Sequence, residues 1–534
     1  MVNQFGLSLP IPKSDLRCKD VTVPVLRLRD WINYLLAGNH WHIVTGLVRP
    51  DWKREEAILE KFWNQYRVQQ PNHPIFEKER LGQLRLSHCA PLLLHGDEGR
   101  GRKRTAFLVC SFYSILGRGV LNRQKPRKAP YLKMLPNFHG HTYTSRFLLA
   151  ALPKHMYSGA ASHVFDSLME LATDEVDFMF NVGLQHPERG NVRACLLNIT
   201  GDWPWLAKSG NISRSFLNVQ KHKETAACKG VCHLCKGGQP GYPYEQLGTR
   251  TPVWLGSLFS DDPFKTPPPF LRLPHVPGQG PALWFFDVFH TWHLGCAKHL
   301  LGSVLVLLAE REPQSNIDLR FEALSQKYLS WCKQRKKRPF VSKITKEFVN
   351  YPTTRSYPTG SWHKGDLSTT LMDFVEELFL AEGWSDNDDP MLRMAGEAVV
   401  QANSFLRSLY MADVWMQPPA ARAAAEHGLR FLRRYGALAK LAFDSGRTLW
   451  VVQPKLHAHH HISLYLLLGS ERGPVLNPMC FSTQASEDFI GRPSRLSRRV
   501  TAARLCSDRV IDRYLRSCFH EWVKAGYIIE ARGW

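Results

Sequence analysis

The chain has 534 residues, of which 44% are hydrophobic and 22% are charged, a composition typical of a folded protein of two to four domains. Its 69 Lys and Arg residues exceed its 47 Asp and Glu residues, which gives a net charge of +22. An excess of this size favours a polyanionic partner, and nucleic acid is the expected one. Twelve cysteines are too few for a disulfide scaffold, so a reducing compartment is expected.

Targeting and membrane segments are not expected. The first twenty residues contain two prolines and no sustained apolar run, unlike a secretory signal. The most apolar stretch, LLGSVLVLLA at residues 300–309, is about half the length needed to span a bilayer. The sequence therefore predicts no membrane partner.

Four segments are predicted from periodicity and composition. Residues 1–85 carry apolar residues at helical spacing and form a predicted helical N-terminal region. Residues 86–295 contain five predicted strands and one predicted helix. The strands are predicted at 90–98, 104–116, 140–153, 191–202 and 281–290, and the helix at 163–184. Residues 296–450 are predicted to be helical, and residues 451–534 end in a further helix.

The order of the predicted strands favours one fold class. Three strands joined by short connections, then a helix, then a fourth strand, is the order of an RNase H-like mixed α/β sheet. In such a sheet the first and fourth strands are neighbours. The helical segment 296–450 is then an insertion before the last part of the RNase H-like core.

The stretch HGDEGRGRKRT (95–105) allows three interpretations: a phosphate-binding loop, a carboxylate placed for a metal, or a basic turn between two strands. Gly96 and Gly101 have the spacing of a phosphate-binding loop, but Arg102 and Lys103 stand where Lys and Ser or Thr are needed. Arg100 joins Arg102 and Lys103 as a candidate DNA-binding residue.

The carboxylate interpretation gains support from a second acid. Asp202 follows a strand-like run, as Asp97 does, and each aspartate is preceded by glycine. In an RNase H-like sheet both acids lie at the same edge, where they can hold two Mg²⁺ ions roughly 4 Å apart. For Asp97 alone, a turn residue that accepts backbone hydrogen bonds is the alternative.

Several short motifs resemble those of CACTA-like and KDZ/plavaka-like cut-and-paste transposases of eukaryotic mobile elements. GDWPWLAKSG and CHLCKGG resemble their GD-x-P-x-LAK…C-x-x-C segment, and FFDVFHTWHLG resembles the D-x-x-H motif that these and hAT-like transposases carry. QPKLHAHHH resembles their PK-x-H segment, and FSTQASEDFIGR the place of their last acid. The resemblance spans about residues 90–500 and implies a DDE-type transposase.

The resemblance also implies roles for individual residues. Asp97 would be the first acid, Asp202 the second and Glu487 the third, with Asp287 and His290 as the D-x-x-H pair. Asp488 adjoins Glu487 and is the alternative third acid. His293 lies three positions after His290, and the two histidines are expected to position a substrate phosphate or to support a carboxylate, unless they are simply buried at a helix junction.

Three cysteines, Cys228, Cys232 and Cys235, form a C-x3-C-x2-C pattern that predicts a structural Zn²⁺ site. His233 is the expected fourth ligand, with His222, His290 and His293 as alternatives, while Cys232 and Cys235 alone could instead form a redox pair. The histidines of LHAHHHI (456–462) are interpreted mainly as a polar surface, with metal binding as the lesser possibility.

Two basic runs point to DNA. RPSRLSRR follows the proposed last acid and supplies four candidate DNA-binding residues, Arg492, Arg495, Arg498 and Arg499. KQRKKRP (333–339) is typical of a nuclear import signal or a phosphate-contacting patch.

The sequence thus predicts a nuclear, Mg²⁺-dependent transposase that cleaves DNA and transfers the cut strand. The alternatives are a catalytically degenerate relative that only binds DNA and an unrelated zinc-stabilised nucleic-acid-binding protein. By analogy with transposases, a homo-oligomer is expected.

Overall fold

A computed structural model describes residues 6–120, 133–219, 229–500 and 506–528. Within these ranges the protein is a mixed α/β structure in which a five-stranded mixed sheet adjoins a large helical region.

The N-terminal part begins with a β-hairpin and continues with helices. Its elements are β1 (Ser14–Cys18), β2 (Val21–Val25), α1 (Leu28–Ala37), α2 (His42–Thr45), α3 (Trp52–Gln69) and α4 (Pro74–Arg80). The prediction of a helical N-terminal region is therefore wrong for the hairpin. The β-branched run VTV favours a strand, and Lys19 turns the chain with a positive φ of 47°.

The central elements form the sheet and its first covering helix. They are β3 (Cys89–Arg100), β4 (Ala106–Ser114), β5 (Leu116–Gly117), β6 (Leu135–Pro136), β7 (Arg146–Pro153), α5 (Ser162–Asn181), β8 (Leu184–His186), β9 (Gly190–Thr200) and α6 (Trp203–Ser209). The order in the sheet is β7-β4-β3-β9-β8, with β3 and β9 parallel and the other pairs antiparallel. Four predicted strands and the predicted helix at 163–184 are confirmed.

The fifth predicted strand, at 281–290, is wrong. Gly280–Trp284 forms a 3-10 helix and Phe289–Cys296 a π-helix, while the fifth place in the sheet belongs to the short strand β8. Asp287 is the physical reason, because its carboxylate accepts hydrogen bonds from the backbone N–H groups of Phe289 and His290 and so begins a helix. The apolar character of this segment reflects burial on all sides.

The C-terminal half is mainly helical. Its elements are α7 (Ala297–Glu310), α8 (Ile317–Gln334), α9 (Gly365–Ala381), α10 (Pro390–Met411), β10 (Trp415–Met416), α11 (Pro418–Asp444), α12 (Pro454–Arg472), β11 (Val475–Leu476), α13 (Gln484–Ser497) and α14 (Cys506–Lys524). Helices α7 to α12 share one hydrophobic core. Helices α13 and α14 return to the sheet and share its core with α1 and α5.

Both faces of the sheet are buried. Along β3, Leu92 and Leu94 belong to the core that contains α5 and α14, whereas Cys89 and Leu93 belong to the core that contains α3. This alternation is the two-residue period of a strand covered on both sides. The acid-bearing ends of the central strands are thus held by a rigid layer.

One helical segment is longer than the sequence suggested. The π-helix and α7 form a continuous helix, Phe289–Glu310, of 22 residues whose apolar window has a mean hydropathy of 1.4 and passes for a membrane span by length and composition. However, 83% of that window is buried inside the protein, which is typical of a core helix as well. It is weak evidence for a membrane segment.

Candidate active site and metal centre

Two aspartates lie side by side at one edge of the sheet. Strands β3 and β9 run parallel, with His95 opposite Thr200, so that Asp97 and Asp202 each stand two residues beyond this pair. The carboxylate of Asp202 caps α6 by accepting a hydrogen bond from the Trp205 N–H at 2.7 Å. The basic stretch after Asp97 is the turn of the β3–β4 hairpin, which excludes a phosphate-binding loop.

Glycines before the two aspartates make room for one tryptophan. A Cβ added to Gly96 or to Gly201 would overlap with the indole of Trp205, which packs between the ends of the two strands. In each Gly-Asp pair the aspartate supplies the acid, and the glycine leaves the space that the Trp205 indole occupies. Because the N–H of Trp205 donates to the Asp202 carboxylate, the position of Trp205 also fixes the direction of that carboxylate.

Helix α13 brings the third acid to the same edge. It lies across β3 at Gly99, where an added Cβ would overlap with the side chain of Ser494. Glu487, in the first turn of α13, then reaches hydrogen-bonding range of the Asp97 carboxyl group. Asp97, Asp202 and Glu487 form what we call the acidic site.

Burial and mutual repulsion disfavour the charged forms of the carboxyl groups in the acidic site. Burial, followed by the negative charge of Asp97, raises the pKa of Glu487 well above its usual range and that of Asp202 to about 6. Oε1 of Glu487 is buried and accepts no hydrogen bond from the described residues. Carboxylates that repel one another and leave an oxygen unsatisfied have the donor chemistry that Mg²⁺ prefers.

Asp287 and His290 form a buried support beneath Glu487. The Asp287 carboxylate is fully buried and accepts from His290 Nδ1 at 2.6 Å and from the N–H and hydroxyl of Thr483, both at 2.9 Å. His290 Nε2 lies 3.7 Å from Glu487 Oε1. Burial lowers the pKa of His290, but the hydrogen bond and charge of Asp287, with Glu487 and Asp97, raise it to about 9.

Thr483 is a site residue that the sequence analysis missed. It precedes α13 directly, so its two hydrogen bonds to Asp287 attach the start of α13 to the π-helix region. Threonine is a common residue at the start of a helix, but here its hydroxyl bonds to Asp287 and not to the N–H groups of α13. Its partner, 196 positions away, is not apparent from the sequence.

Two of the predicted site residues point elsewhere. The Asp488 carboxylate is exposed and accepts hydrogen bonds from Thr142 Oγ1 at 3.1 Å and Arg492 Nε at 2.7 Å. His293 is buried against Tyr410, with His293 Nε2 3.4 Å from the phenolic oxygen. The structure thus brings Glu487, and not its neighbour, to Asp97, and it separates His293 from the acidic site.

A second constellation joins Cys232 and Cys235 to His457 and His461. All four are buried, and their ligand atoms lie within 4.8 Å of one another. The Nε2 atoms of the histidines are 3.1 Å apart, and the distances from Cys235 Sγ to His457 and His461 Nε2 are 3.3 and 3.4 Å. This Cys2His2 centre is able to hold a metal ion such as zinc.

The separations fit tetrahedral coordination. Zn–S bonds of about 2.3 Å and Zn–N bonds of about 2.0–2.1 Å place two nitrogens roughly 3.3 Å apart and a sulfur and a nitrogen roughly 3.6 Å apart. The N–H groups of Leu234 and Gly237 each point at a cysteine sulfur, at 3.3 Å, as in a loop folded around a bound ion. Four protein ligands leave no open position, which is the mark of a structural site.

The predicted set of zinc ligands is wrong at His233. Its Nε2 is 2.7 Å from the Trp284 carbonyl oxygen, and the third and fourth places belong to His457 and His461. These two stand four residues apart on α12 and so share one helix face. The H-x3-H spacing was the available signal, since α12 buries the whole tract that was interpreted as a polar surface. Cys228 lies outside the described residues.

The predicted DNA-binding residues divide into two groups. Arg498 donates to the Arg100 carbonyl oxygen at 2.9 and 3.1 Å, and Arg102 donates to that of Val500 at 3.3 Å. These contacts join the end of α13 to the β3–β4 turn, which also carries Lys103. Exposed Arg495 and Arg499 project instead into a groove beside α14, which half-buried Arg492 also lines.

Comparisons with known proteins add no relative. No model of a protein family matches the chain, and no curated protein matches its sequence. The geometry of the acidic site and of the Cys2His2 centre therefore carries the functional interpretation.

Proposed function

We propose that the protein is a DDE transposase-like enzyme that cleaves DNA by two-metal phosphodiester chemistry and transfers the cut strand. The convergence of Asp97, Asp202 and Glu487 carries this proposal, because the third acid comes from 285 positions beyond the second and no local structure requires it there. Asp202 also caps α6, but a helix cap does not require two further acids beside it. The described cationic groups that act on the three acids are His290 and Lys455.

The sheet supports an RNase H-like core. The order β7-β4-β3-β9, with the parallel pair in the middle of an otherwise antiparallel sheet, is the arrangement expected for the first four strands of that fold. The helical region α7–α12 stands between β9 and α13, as an insertion before the last acid would. The fifth strand differs, since β8 pairs antiparallel to β9.

The acidic site fits a pair of Mg²⁺ ions, which Asp97, Asp202 and Glu487 would hold. When bound, such ions activate a water or hydroxyl nucleophile and stabilise the leaving oxygen. The chain itself would orient the acids: Trp205 and the α6 cap hold Asp202, and Thr483 and Asp287 hold the start of α13. His290, whose pKa is raised, would offset part of the negative charge around Glu487.

In the proposed reaction a water attacks the phosphorus of a phosphodiester, so that a P–O bond to the water oxygen forms as the bond to the 3′-oxygen breaks, which leaves a 3′-hydroxyl and a 5′-phosphate. That hydroxyl then attacks a phosphodiester of target DNA, so that a new P–O bond forms as the target's bond to its own 3′-oxygen breaks and that oxygen leaves as a hydroxyl. The net charge of +22 supplies sequence-independent affinity for DNA, which falls as salt rises. The Cys2His2 centre has a structural role, because it is closed and buried.

The test is Mg²⁺-dependent cleavage of duplex DNA by the purified chain and by Asp202→Asn. We expect cleavage that requires added Mg²⁺ and that the substitution lowers by about 10³-fold or more, with DNA affinity retained. Asp488→Asn is the matched control, because Asp488 adjoins Glu487 but contacts Thr142 and Arg492. DNA binding without any cleavage would instead support the catalytically degenerate relative.

A further inference from the structure

Helices α13 and α14 enclose a basic groove next to the acidic site. It has a volume of about 490 Å³ and is open to solvent. Its basic lining, which we call the arginine groove, consists of Arg492 and Arg495 from α13, Arg499 from the turn after α13, Arg516 and His520 from α14, and His141 from the segment before β7.

The basic residues of the groove lie mainly on the facing sides of α13 and α14. Arg492 and Arg495 stand at positions i and i+3 of α13, and Arg516 and His520 at i and i+4 of α14, so that each pair lies on one side of its helix. Arg499 follows in the turn that ends α13, where its N–H donates to the Leu496 carbonyl oxygen. The sequence run RPSRLSRR gives only half of this arrangement. Arg516 and His520 join it through the packing of α14 on α13.

Three guanidinium groups in the groove are not neutralised. Arg495, Arg499 and Arg516 are exposed, and none forms an ion pair with an acid of the described residues. Arg492 differs, because it is bound by Asp488 and contacts His141. Glu521 is an acid in the lining of the groove, and its carboxylate lies 3.2 Å from Lys524 Nζ and 4.0 Å from His141 Nε2. Like charges crowded on two facing helices cost free energy unless an anion lies between them.

We propose that the arginine groove binds the sugar–phosphate backbone of the DNA strand that leaves the acidic site, an inference that rests on the proposed function. Arginine forks match phosphate oxygens with two parallel hydrogen bonds. Contacts to phosphates position a duplex without reading its sequence, so the groove fixes where the strand lies and not which bases it carries.

The dimensions suit a short run of phosphates. Glu487 precedes Arg492 by five residues, about 7.5 Å along α13, and Arg492 precedes Arg495 by three residues, about 4.5 Å. One DNA strand advances about 3.4 Å per phosphate along its axis. Measured along α13, the groove therefore begins about two phosphates from Glu487, and its two helical arginines span about two phosphates.

The experiment measures DNA affinity across salt concentrations without added Mg²⁺, where the proposed cleavage does not occur, by fluorescence anisotropy of a labelled duplex. The test variant is Arg495→Gln with Arg499→Gln. The matched control is Arg422→Gln with Arg430→Gln, which removes the same charge from exposed positions of α11. We expect the slope of log K against log salt to shrink by about 2 in the test variant and to stay unchanged in the control.

Two further variants test whether the effect belongs to the groove or to any arginine near the end of α13. Arg516→Gln lies on the other helix and is expected to shrink the slope by about 1. Arg498→Gln lies beside Arg499 but bonds to the Arg100 carbonyl oxygen, and it is expected to leave the slope unchanged. All variants are compared with the parent for thermal unfolding.

The outcomes separate the two proposals. Equal slopes in the test and control doubles, or a wild-type chain that does not bind DNA, would overturn the groove. Cleavage that survives Asp202→Asn would overturn the proposed chemistry and leave the salt slopes as an independent result. Loss of slope at both Arg495–Arg499 and Arg516, with a folded chain, supports the groove whether or not the chain cleaves DNA.

Discussion

His457 Nε2 lies 3.3 Å from Cys235 Sγ, although the two residues are 222 positions apart in the chain. The contact fastens the loop after α6 to α12, and the same loop places His233 against the Trp284 carbonyl oxygen near Asp287. The Cys2His2 centre therefore links the helical region to the segment that supports the acidic site. A metal bound there stabilises this link.

The first prediction concerns the metal content. The parent protein is expected to contain one zinc ion per chain, measured by inductively coupled plasma mass spectrometry, and His461→Gln is expected to lose it because three ligands bind zinc far more weakly than four. His233→Gln is the control, since His233 bonds to Trp284 and not to the ion. Zinc lost from the His233 variant but kept in the His461 variant would contradict the assignment.

The second prediction concerns removal of the metal. Stripping zinc with a strong chelator is expected to lower the free energy of unfolding, because an ion that binds only the folded chain stabilises it by about 4 kcal/mol at 1,000 times its Kd. Thermal unfolding of the stripped protein, before and after zinc is added back, measures the effect. Mg²⁺ in place of zinc should not restore it, because thiolates and imidazoles are poor ligands for Mg²⁺.

Local patterns in the sequence predicted the parts of the fold that depend on local chemistry. The apolar runs before Asp97 and Asp202 gave the parallel strand pair, and C-x2-C gave half of the metal centre. Contacts between residues hundreds of positions apart could not be predicted from local patterns. Examples are Thr483 with Asp287 and Cys235 with His457. The strand predicted at 281–290 was wrong because a fully buried helix start has the same apolar composition as a buried strand.

The third prediction tests why glycine precedes each aspartate. Gly96→Ala is expected to destabilise the protein by about 1–3 kcal/mol, because the added methyl overlaps with the Trp205 indole and displaces it. The proposed cleavage should fall as well, since the Trp205 N–H donates to the Asp202 carboxylate. Gly256→Ala is the control: an added Cβ there meets no atom within 4 Å, and its effect should stay within about 0.5 kcal/mol. Chemical denaturation measures both.

The fourth prediction tests the attachment of α13. Thr483→Val removes the hydroxyl that donates to the buried Asp287 carboxylate and is expected to cost about 1–3 kcal/mol of folding free energy. Thr483→Ser keeps the hydroxyl and should retain most of the stability, along with the cleavage rate. If the valine and serine variants lost the same folding free energy, the packing of the Thr483 methyl group would account for the loss, and the hydrogen bond to Asp287 would not.

The fifth prediction concerns acid sensitivity at His73, which caps α4 by accepting a hydrogen bond from the Ile75 N–H at 3.3 Å. Burial lowers the pKa of His73 from 6.5 to about 4. Above pH 6.5 the imidazole is neutral in both states and costs nothing. As the pH falls from 6.5 to 4, the unfolded chain takes up the proton first, so the free energy of unfolding falls by about 3 kcal/mol, and below pH 4 the loss levels off.

The test variant is His73→Asn, which keeps a capping acceptor without a titrating group. The difference between its free energy of unfolding in urea and that of the parent should vary with pH only between 6.5 and 4. A difference that is constant from pH 7 to pH 4 would show that His73 titrates normally in the folded protein.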